Sequence, residues 1–541
     1  WHPAIVNDIH QQGSSGTRLF IPPYMDPIEP NIDPILMAGV AQMGKAMTWR
    51  LTSDGFVGIA NNTSYDAWTP ARAYQHYHGA IRILTETASA DLASPITVAF
   101  DSLRPGYNVD PKKTGVDFLT KWAGGRWTIG DIVRYQTAAT MALLTQGAAD
   151  HMEWVRTYSQ VERNAVMGNR AAGREDWPAT IVIPEEAARD TAINAALNIL
   201  QRGQVEVRRA SAAFTADGKQ FPAGSYLIYT AQPYAAFAKT LLENQHYPNL
   251  FEYPGGPPKR PYDVTAQTLP LLYGFNVSFV HDSVTVASTP LARVRVLPWV
   301  AKGLSNNKAR RIAMFQNWAP SMDQGWTQWV FDQYHVPYTM ITAKDIRAGN
   351  LGARFDAIIL PDQNARQIEN GPRGNYPDSL KGGLGDDGAK QLAAFVDAGG
   401  TLVAFNAASN YAIEALSLPV KNVLANVRPK DFYAPGSLFS VEFDRTNPLA
   451  AGMTAHVAAV WFEGSPAFDV TDPSRATVVA RYPAQGDPLL SGWLLGAERV
   501  NGKAAMVDVK RGKGHVVLFG FRPQYRAQSM STYPLVWNAL R

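Results

Sequence analysis

The sequence contains no cysteine, so disulfide bonds, thiolate catalysis and thiolate metal ligands are all excluded. It also has no uncharged apolar stretch of about the twenty residues that a membrane-spanning helix needs. No basic run is interleaved with aromatic residues, the pattern typical of nucleic-acid binding. A net charge of +4 on 541 residues is too small to indicate a polyanionic partner. We therefore expect no membrane span, no nucleic-acid partner and no cysteine chemistry.

The composition is that of a globular protein. Hydrophobic residues make up 46% and charged residues 18% of the chain, which is typical of folded domains and not of disordered or membrane proteins. At 541 residues the chain is too long for one hydrophobic core, so we expect three or four domains. Strand and helix patterns alternate along most of it, which predicts an α/β fold class.

The segment at residues 1–24 combines a predicted strand with polar side chains that can do chemistry. Residues 4–9 are apolar and β-branched enough to favour a strand. In a strand, Asp8 and His10 lie on the same face because side chains alternate with a period of two. The polar, glycine-containing residues 11–17 then predict an irregular loop at the sheet edge. α/β proteins often place their sites at such strand ends.

Two motifs, in the right order, resemble one enzyme family. The strand ending in Asp8-Ile9-His10 resembles the third metal-ligand segment of zinc metallocarboxypeptidases of the carboxypeptidase A type. The strand at residues 81–89, which contains Glu86, resembles the strand that carries their catalytic glutamate. The resemblance is strongest to large bacterial members with further domains. It implies that residues 1–173 are the C-terminal part of a zinc carboxypeptidase-like α/β domain, with His10 a Zn²⁺ ligand and Glu86 the general base.

Part of the family's metal site is missing from this sequence. A catalytic zinc takes about three protein ligands, and the family supplies two of them from a His-x-x-Glu segment upstream of the Asp-x-His strand. None of the 10 histidines has glutamate three residues later. The Asn-Arg segment that binds the substrate's terminal carboxylate also lies upstream in the family. We therefore expect that the chain begins inside a domain, that the remaining ligands precede Trp1, and that this chain alone is inactive.

The resemblance implies an activity and a location. The activity is zinc-dependent hydrolysis of a peptide substrate, and members of the group are usually exported, which implies a periplasmic or secreted protein. Because the ligand set is incomplete, one alternative stays open. It is a non-catalytic peptide- or glycan-binding protein with a degenerate peptidase fold.

A stretch rich in polar and aromatic residues, 61–79, precedes the strand of Glu86. Aromatic faces and a few hydrogen-bonding groups are typical of ligand clefts, so we expect Tyr65, Arg72 and Tyr77 to bind the substrate. The family has a mobile tyrosine in this interval that covers the substrate. Tyr65 is our first candidate for that role and Tyr77 our second.

His76 and His78 lie in the same stretch. If it were a strand, both would occupy one face, and a metal-binding pair would be conceivable. No third ligand stands at a usable spacing, so we favour structural roles for both. Elsewhere in this region, residues 35–51 predict an amphipathic helix, and Thr128 predicts the cap of a long helix that ends near residue 147.

The second region, residues 177–300, alternates strands and helices and is predicted to be a small α/β domain. We find no catalytic constellation in it. Residues 253–265 are rich in proline and glycine and must lie on the surface. They form either a loop over the peptidase cleft or a connector, and we favour the connector.

The third region, residues 309–541, repeats the alternation more regularly, and the glycines at 399 and 400 are typical of a helix end that leads into a parallel sheet. The segments DAIILPDQ and FVDAGGTLVAFN resemble the class I glutamine amidotransferase-like fold. The resemblance implies a doubly wound domain, followed from Leu438 by a β-rich extension.

The nucleophile of the amidotransferase family is absent. In that family a cysteine sits on the tight turn after the strand equivalent to 401–406, whereas residues 406–410 read NAASN. Ser409 could replace the cysteine only with a positioned base, and none is near it in sequence. We predict that Ser409 is a helix N-cap and that the domain is a non-catalytic accessory module.

Overall fold

The computed structural model describes residues 2–167, 177–296, 301, 304, 310–372, 374, 376–377, 380–453 and 457–541. Helices and several β-sheets alternate through these ranges, which confirms the predicted α/β fold class. Within them, no helix is both long enough and apolar enough to cross a membrane. The predicted domain boundaries at residues 173 and 300 lie outside the described ranges.

The first region builds a sheet covered by helices. Its elements in chain order are β1 (Ile5–Gln12), β2 (Leu19–Phe20), α1 (Pro34–Ser53), β3 (Ile59–Ala60), α2 (Pro70–Ala73), β4 (Ile81–Ala88), β5 (Ile96–Val98), β6 (Gly125–Trp127), α3 (Ile129–Ala149) and α4 (His151–Val166). The strand order is β1-β4-β2-β3, with β1 parallel and β2 antiparallel to β4. Every residue of β4 is buried, as expected for a strand covered on both faces.

Local signals set the starts of the helices that cover this sheet. Asp33 caps α1 by accepting a hydrogen bond from the backbone N–H of Ile35, and Pro34 occupies the first turn. Thr128 and Asp131 form a reciprocal capping box at the start of α3. The helix start predicted at Thr128 is confirmed.

The second region forms a separate, antiparallel sheet. Its elements are β7 (Thr180–Ile183), α5 (Asp190–Arg202), β8 (Arg208–Ala210), β9 (Phe214–Ala216), β10 (Lys219–Phe221), β11 (Tyr226–Tyr229), α6 (Ala235–Leu242), α7 (Leu269–Tyr273), β12 (Ser278–Val280) and β13 (Ser288–Pro290). The strand order is β12-β7-β11-β8-β13, and each neighbouring pair is antiparallel. Strand β11 lies between β7 and β8, although those two flank α5 in sequence.

The third region contains the largest sheet. Its elements are β14 (Ile312–Phe315), α8 (Met322–Gln333), β15 (Thr339–Ile341), α9 (Ala343–Arg347), α10 (Leu351–Arg354), β16 (Ala357–Leu360), α11 (Ala365–Asn370), α12 (Gly385–Asp397), β17 (Thr401–Phe405), α13 (Ala408–Ala415), β18 (Val420–Asn422), β19 (Pro435–Phe443), β20 (Val457–Glu463), β21 (Phe468–Val470), β22 (Ala476–Arg481), β23 (Leu489–Ser491), β24 (Ala504–Arg511), β25 (Gly514–Phe519) and α14 (Tyr533–Ala539).

This sheet has a parallel half and an antiparallel half. Its main strand order is β15-β14-β16-β17-β25-β24-β22-β19-β20. The pairs from β15 to β25 are parallel, and those from β25 through β24, β22 and β19 to β20 are antiparallel. The predicted parallel strands and the β-rich extension therefore belong to one continuous sheet.

Aromatic side chains from all three regions pack together. Trp68, Tyr247 and Trp493 form one buried cluster. The ring centroids of Trp68 and Tyr247 are 4.8 Å apart, and those of Tyr247 and Trp493 are 5.4 Å apart. Trp493 Nε1 also donates a hydrogen bond of 2.7 Å to Asn249 Oδ1. The three regions therefore meet at a shared aromatic contact.

Truncating this contact should destabilise the protein. We expect Trp493→Ala to lower the free energy of unfolding by about 3–5 kcal/mol, the usual effect of removing a buried tryptophan side chain. Trp49, which is 75% exposed on α1, supplies the control, and Trp49→Ala should change stability by less than about 0.5 kcal/mol. Urea unfolding followed by near-UV circular dichroism measures both. Equal losses would contradict the packing described here.

Candidate functional site

His10 and Glu86 lie side by side on two parallel strands. The register of β1 and β4 pairs Ile5 with Ile81 and, five residues later, His10 with Glu86. Partner residues on parallel strands present their side chains on the same face of the sheet, because the alternation is in step on both strands. The pairing therefore brings the predicted zinc ligand and the predicted general base onto one face.

An aspartate holds the imidazole of His10. His10 Nε2 lies 2.8 Å from Asp8 Oδ1, and the other oxygen of Asp8 accepts a hydrogen bond of 2.8 Å from Nε of the buried Arg82. A carboxylate on one ring nitrogen fixes the orientation of an imidazole and raises its basicity, as is usual behind metal-binding histidines. No described residue forms a hydrogen bond with the second ring nitrogen, Nδ1. This nitrogen is therefore the one suited to bind a metal.

Glu86 is buried and only half satisfied. Its side chain is 4% exposed, and Oε1 accepts a hydrogen bond of 2.7 Å from the hydroxyl of Tyr262. Oε2 has no hydrogen-bond partner among the described residues. Burial raises the pKa of this carboxyl group, while the Tyr262 hydroxyl and His10 act in the opposite direction. A carboxylate with a raised pKa accepts a proton more readily, which suits a general base.

Tyr262 is the site residue that the sequence predictions miss. Its backbone N–H donates to Asp66 Oδ2 at 3.0 Å, and its ring meets that of Tyr65 edge-on, with the centroids 4.8 Å apart. The segment 253–265 therefore reaches the site, and the connector interpretation is wrong for its last residues. Its proline and glycine content predicts a surface segment but carries no information about which surface.

Asp263 ties this segment to two distant parts of the chain. It accepts a hydrogen bond of 3.3 Å from Arg72 Nε and two from the guanidinium of Arg526, at 3.0 and 2.6 Å. Arg72 also lies over the ring of Tyr262, 5.2 Å from its centroid. Arg72, predicted to bind substrate, is therefore engaged by the second region. That role stays a prediction.

The two tyrosine candidates for covering a substrate are both buried. Tyr65 is fully buried, and its hydroxyl accepts a hydrogen bond of 2.6 Å from Arg82 Nη1. Tyr77 is 3% exposed and donates a hydrogen bond of 3.0 Å to Glu29 Oε2. Neither ring is exposed enough to face a cleft. A covering role for either tyrosine stays a prediction.

The histidine pair at 76 and 78 is not on a strand. His76–His78 form a single turn of 3₁₀-helix that ends at Gly79, which has a φ of 75°. Burial lowers the pKa of His76 to about 4, and Nε2 of His78 contacts the carbonyl of Gly203 at 2.9 Å. The expectation that both rings share one strand face is wrong, because a 3₁₀ turn does not alternate its side chains.

A metal fits this site only in part. Nδ1 of His10 has the right chemistry for one zinc ligand, because zinc favours neutral imidazole nitrogen. A catalytic zinc takes about three protein ligands. In the described part of the chain, no three or more side chains of histidine, aspartate or glutamate gather as a metal-binding group. The described residues alone therefore do not form a complete zinc site.

The turn after β17 differs from the prediction. Ser409 lies inside α13 and not at its N-cap, a position occupied by Ala407. Its hydroxyl donates to the carbonyl oxygens of Ala404 and Phe519, at 3.1 and 2.9 Å. The N-cap prediction is wrong, because this buried hydroxyl satisfies strand carbonyls and not helix N–H groups. Asn406 occupies the turn in the left-handed region of backbone conformation, with a φ of 50°.

Comparisons with known proteins leave the family open. No family model matches the chain, and no curated protein matches it. Among solved structures, similar chains include Cytoplasmic Protein STM3548 from Salmonella typhimurium, at 14% identity over 43% of this chain and 97% of that one, with a TM-score of 0.29. PurLQS from Thermotoga maritima has 12% identity over 43% of this chain and 98% of that one, with a TM-score of 0.28. A β-galactosidase from Rahnella sp. R3 has 13% identity over 42% of this chain and 30% of that one, with a TM-score of 0.25.

The hydrogen bond between Tyr262 and Glu86 can be tested directly. Because that bond stabilises the ionised carboxylate, we expect Tyr262→Phe to raise the pKa of Glu86 further. Carbon-13 NMR titration of the glutamate carboxyl groups reads this pKa. Tyr253, which lies in the same segment and is 61% exposed, provides the control variant Tyr253→Phe. A Glu86 titration that is the same in all three proteins would rule out the bond.

Proposed function

We propose that the protein is a zinc-dependent metallocarboxypeptidase, in which Glu86 is the general base and His10 is one zinc ligand. The observation that carries the proposal is the pairing of His10 with Glu86 across β1 and β4. Asp8 behind the imidazole adds support, since it leaves Nδ1 of His10 for a metal. The sequence resemblance supplies the reaction class.

In this proposal Glu86 moves the proton. Its Oε1 is held by Tyr262, so Oε2, which has no partner among the described residues, is the oxygen that takes a proton from the attacking water. The same oxygen then returns the proton to the leaving amine. The described donors alone do not complete a zinc site.

We assign the peptide substrate to a cleft that contacts the end of β1, although neither His10 nor Glu86 lines it. A cleft of about 810 Å³ is lined by residues from the 62–64, 105–108 and 250–253 segments and by Lys259. Its wall at Ser64 contacts the end of β1, since the Ser64 hydroxyl donates to Gln12 Oε1 at 3.1 Å. This size and the mixture of aromatic and polar groups are typical of ligand clefts.

The second candidate is a peptide- or glycan-binding protein with a degenerate peptidase fold. Two observations favour it. The described residues gather no metal-binding group of three or more side chains, and the Tyr262 hydroxyl occupies one oxygen of Glu86. In this function the cleft would bind ligand without hydrolysis.

Glu86→Gln and His10→Ala separate the two functions. In the full-length protein, we expect bound zinc and release of C-terminal residues from a peptide mixture. Glu86→Gln should keep the zinc and lose about 10²- to 10⁴-fold in rate, the usual contribution of a general base. His10→Ala should lose zinc. Elemental analysis measures the bound zinc, and mass spectrometry of the digested peptides measures the rate of hydrolysis.

The exposed Glu153 on α4 provides the matched control, and Glu153→Gln should keep both zinc and activity. Saturable peptide binding without zinc or hydrolysis in the unmodified protein, unaffected by Glu86→Gln, would instead support the binding function and contradict the peptidase proposal.

A further inference from the structure

A second cavity is lined mainly by residues of the third region, and neither His10 nor Glu86 lines it. It has a volume of about 560 Å³, which is within the usual range for small-ligand sites. Its wall combines aromatic and charged side chains, among them Phe432, Tyr433, Phe462, Arg260, Glu463 and Arg522. None of these residues belongs to the candidate peptidase site.

The cavity lies where the large sheet is expected to carry a ligand. β15 and β16 flank β14 on opposite sides, so the strand order reverses direction at β14. In open parallel sheets, ligands bind outside the carboxyl ends of the strands at such a reversal. Asp362 follows β16 and Asn406 follows β17, and the amide of Asn406 donates to Asp362 Oδ1 at 3.1 Å. Polar groups therefore gather at the expected edge.

The guanidinium of Arg522, which is 19% exposed, lines the cavity. Arg522 Nη1 lies 2.7 Å from Asp323 and Nη2 lies 3.0 Å from Asp362. Glu463 approaches Nη1 only to 3.6 Å. Three carboxyl groups thus surround one guanidinium, and Asp323 and Asp362 hold the two closer positions. Glu463 is therefore the least tightly paired of the three carboxylates.

The carboxylate of Glu463 is open to a ligand. Its side chain is 34% exposed and lines the cavity. It forms no side-chain hydrogen bond with any described residue beyond the loose ion pair with Arg522. A carboxylate in this position can accept hydrogen bonds from an ammonium group.

A positive charge is supplied by Arg260 of the second region. Arg260 is exposed, lines the same cavity, and has no ion pair with a described residue. Burial raises the pKa of Tyr433, and Arg260 and Glu463 then shift it in opposite directions. Both charges therefore act on the same hydroxyl group. The cavity presents a cation and an anion around one aromatic wall.

We propose that this cavity binds a free α-amino acid with an apolar side chain, as a zwitterion. Glu463 receives the ammonium group, and Arg260 receives the carboxylate. Phe432, which is partly exposed, contacts the apolar side chain. A ligand with only one charge would leave Arg260 or Glu463 without a partner, and the aromatic wall favours an apolar side chain. The proposal rests on this cavity alone and is independent of the peptidase activity.

Calorimetric titration with three related probes tests the proposal. L-phenylalanine carries both charges, N-acetyl-L-phenylalanine lacks the ammonium group, and L-phenylalaninamide lacks the carboxylate. We expect saturable binding of L-phenylalanine and at least tenfold weaker binding of each derivative. Glu463→Gln should weaken phenylalanine binding at least tenfold and leave the weak binding of the N-acetyl compound unchanged. Arg260→Ala should also weaken phenylalanine binding at least tenfold, and it should leave the weak binding of L-phenylalaninamide unchanged.

Matched controls come from exposed residues of the same region. Glu442→Gln and Arg445→Ala alter exposed side chains on and beside β19, and both should bind L-phenylalanine like the unmodified protein. Thermal unfolding checks that all four variants are folded. The proposal would be overturned if L-phenylalanine gave no saturable heat. It would also be overturned if the folded Glu463→Gln and Arg260→Ala variants bound L-phenylalanine as tightly as the unmodified protein.

Discussion

The parallel pairing of β1 with β4 sets the geometry of the candidate site, because register decides which side chains share a face of the sheet. With His10 opposite Glu86, an imidazole and a buried carboxylate meet on one face. A shift of one residue would move every side chain of β1 to the other face. The eight buried residues of β4 hold that strand in the core. Pairing with β4 then determines the position of His10 on β1.

The site is completed by parts of the chain that are distant in sequence. Tyr262 reaches Glu86 from the second region, and Asp263 beside it is held by Arg72 of the first region and Arg526 of the third. These ion pairs are partly buried and so are screened less than surface pairs. The regions therefore form one unit around the carboxylate, and changes far from Glu86 in sequence can alter its environment.

Local patterns predicted much of the fold, because strand alternation and helix caps depend on neighbouring residues. The strand carrying His10 and the capping box at Thr128 are of this kind. Tyr262 was missed because its partner is 176 residues away, and no local pattern encodes such a contact. The N-cap prediction for Ser409 fails because its hydroxyl also donates to the carbonyl of Phe519 on β25, which is 110 residues away in sequence. Tertiary contacts, and not local propensity, determine the positions of Tyr262 and Ser409.

The central claim is that His10 and Glu86 share one site, and the pKa of Glu86 in His10→Ala tests it most directly. His10 lowers the pKa of that carboxyl group in the folded protein. Carbon-13 NMR titration should therefore give a higher Glu86 pKa in His10→Ala than in the unmodified protein, and no change in the control His151→Ala, whose side chain is exposed at the start of α4. An unchanged Glu86 titration in His10→Ala would contradict the account.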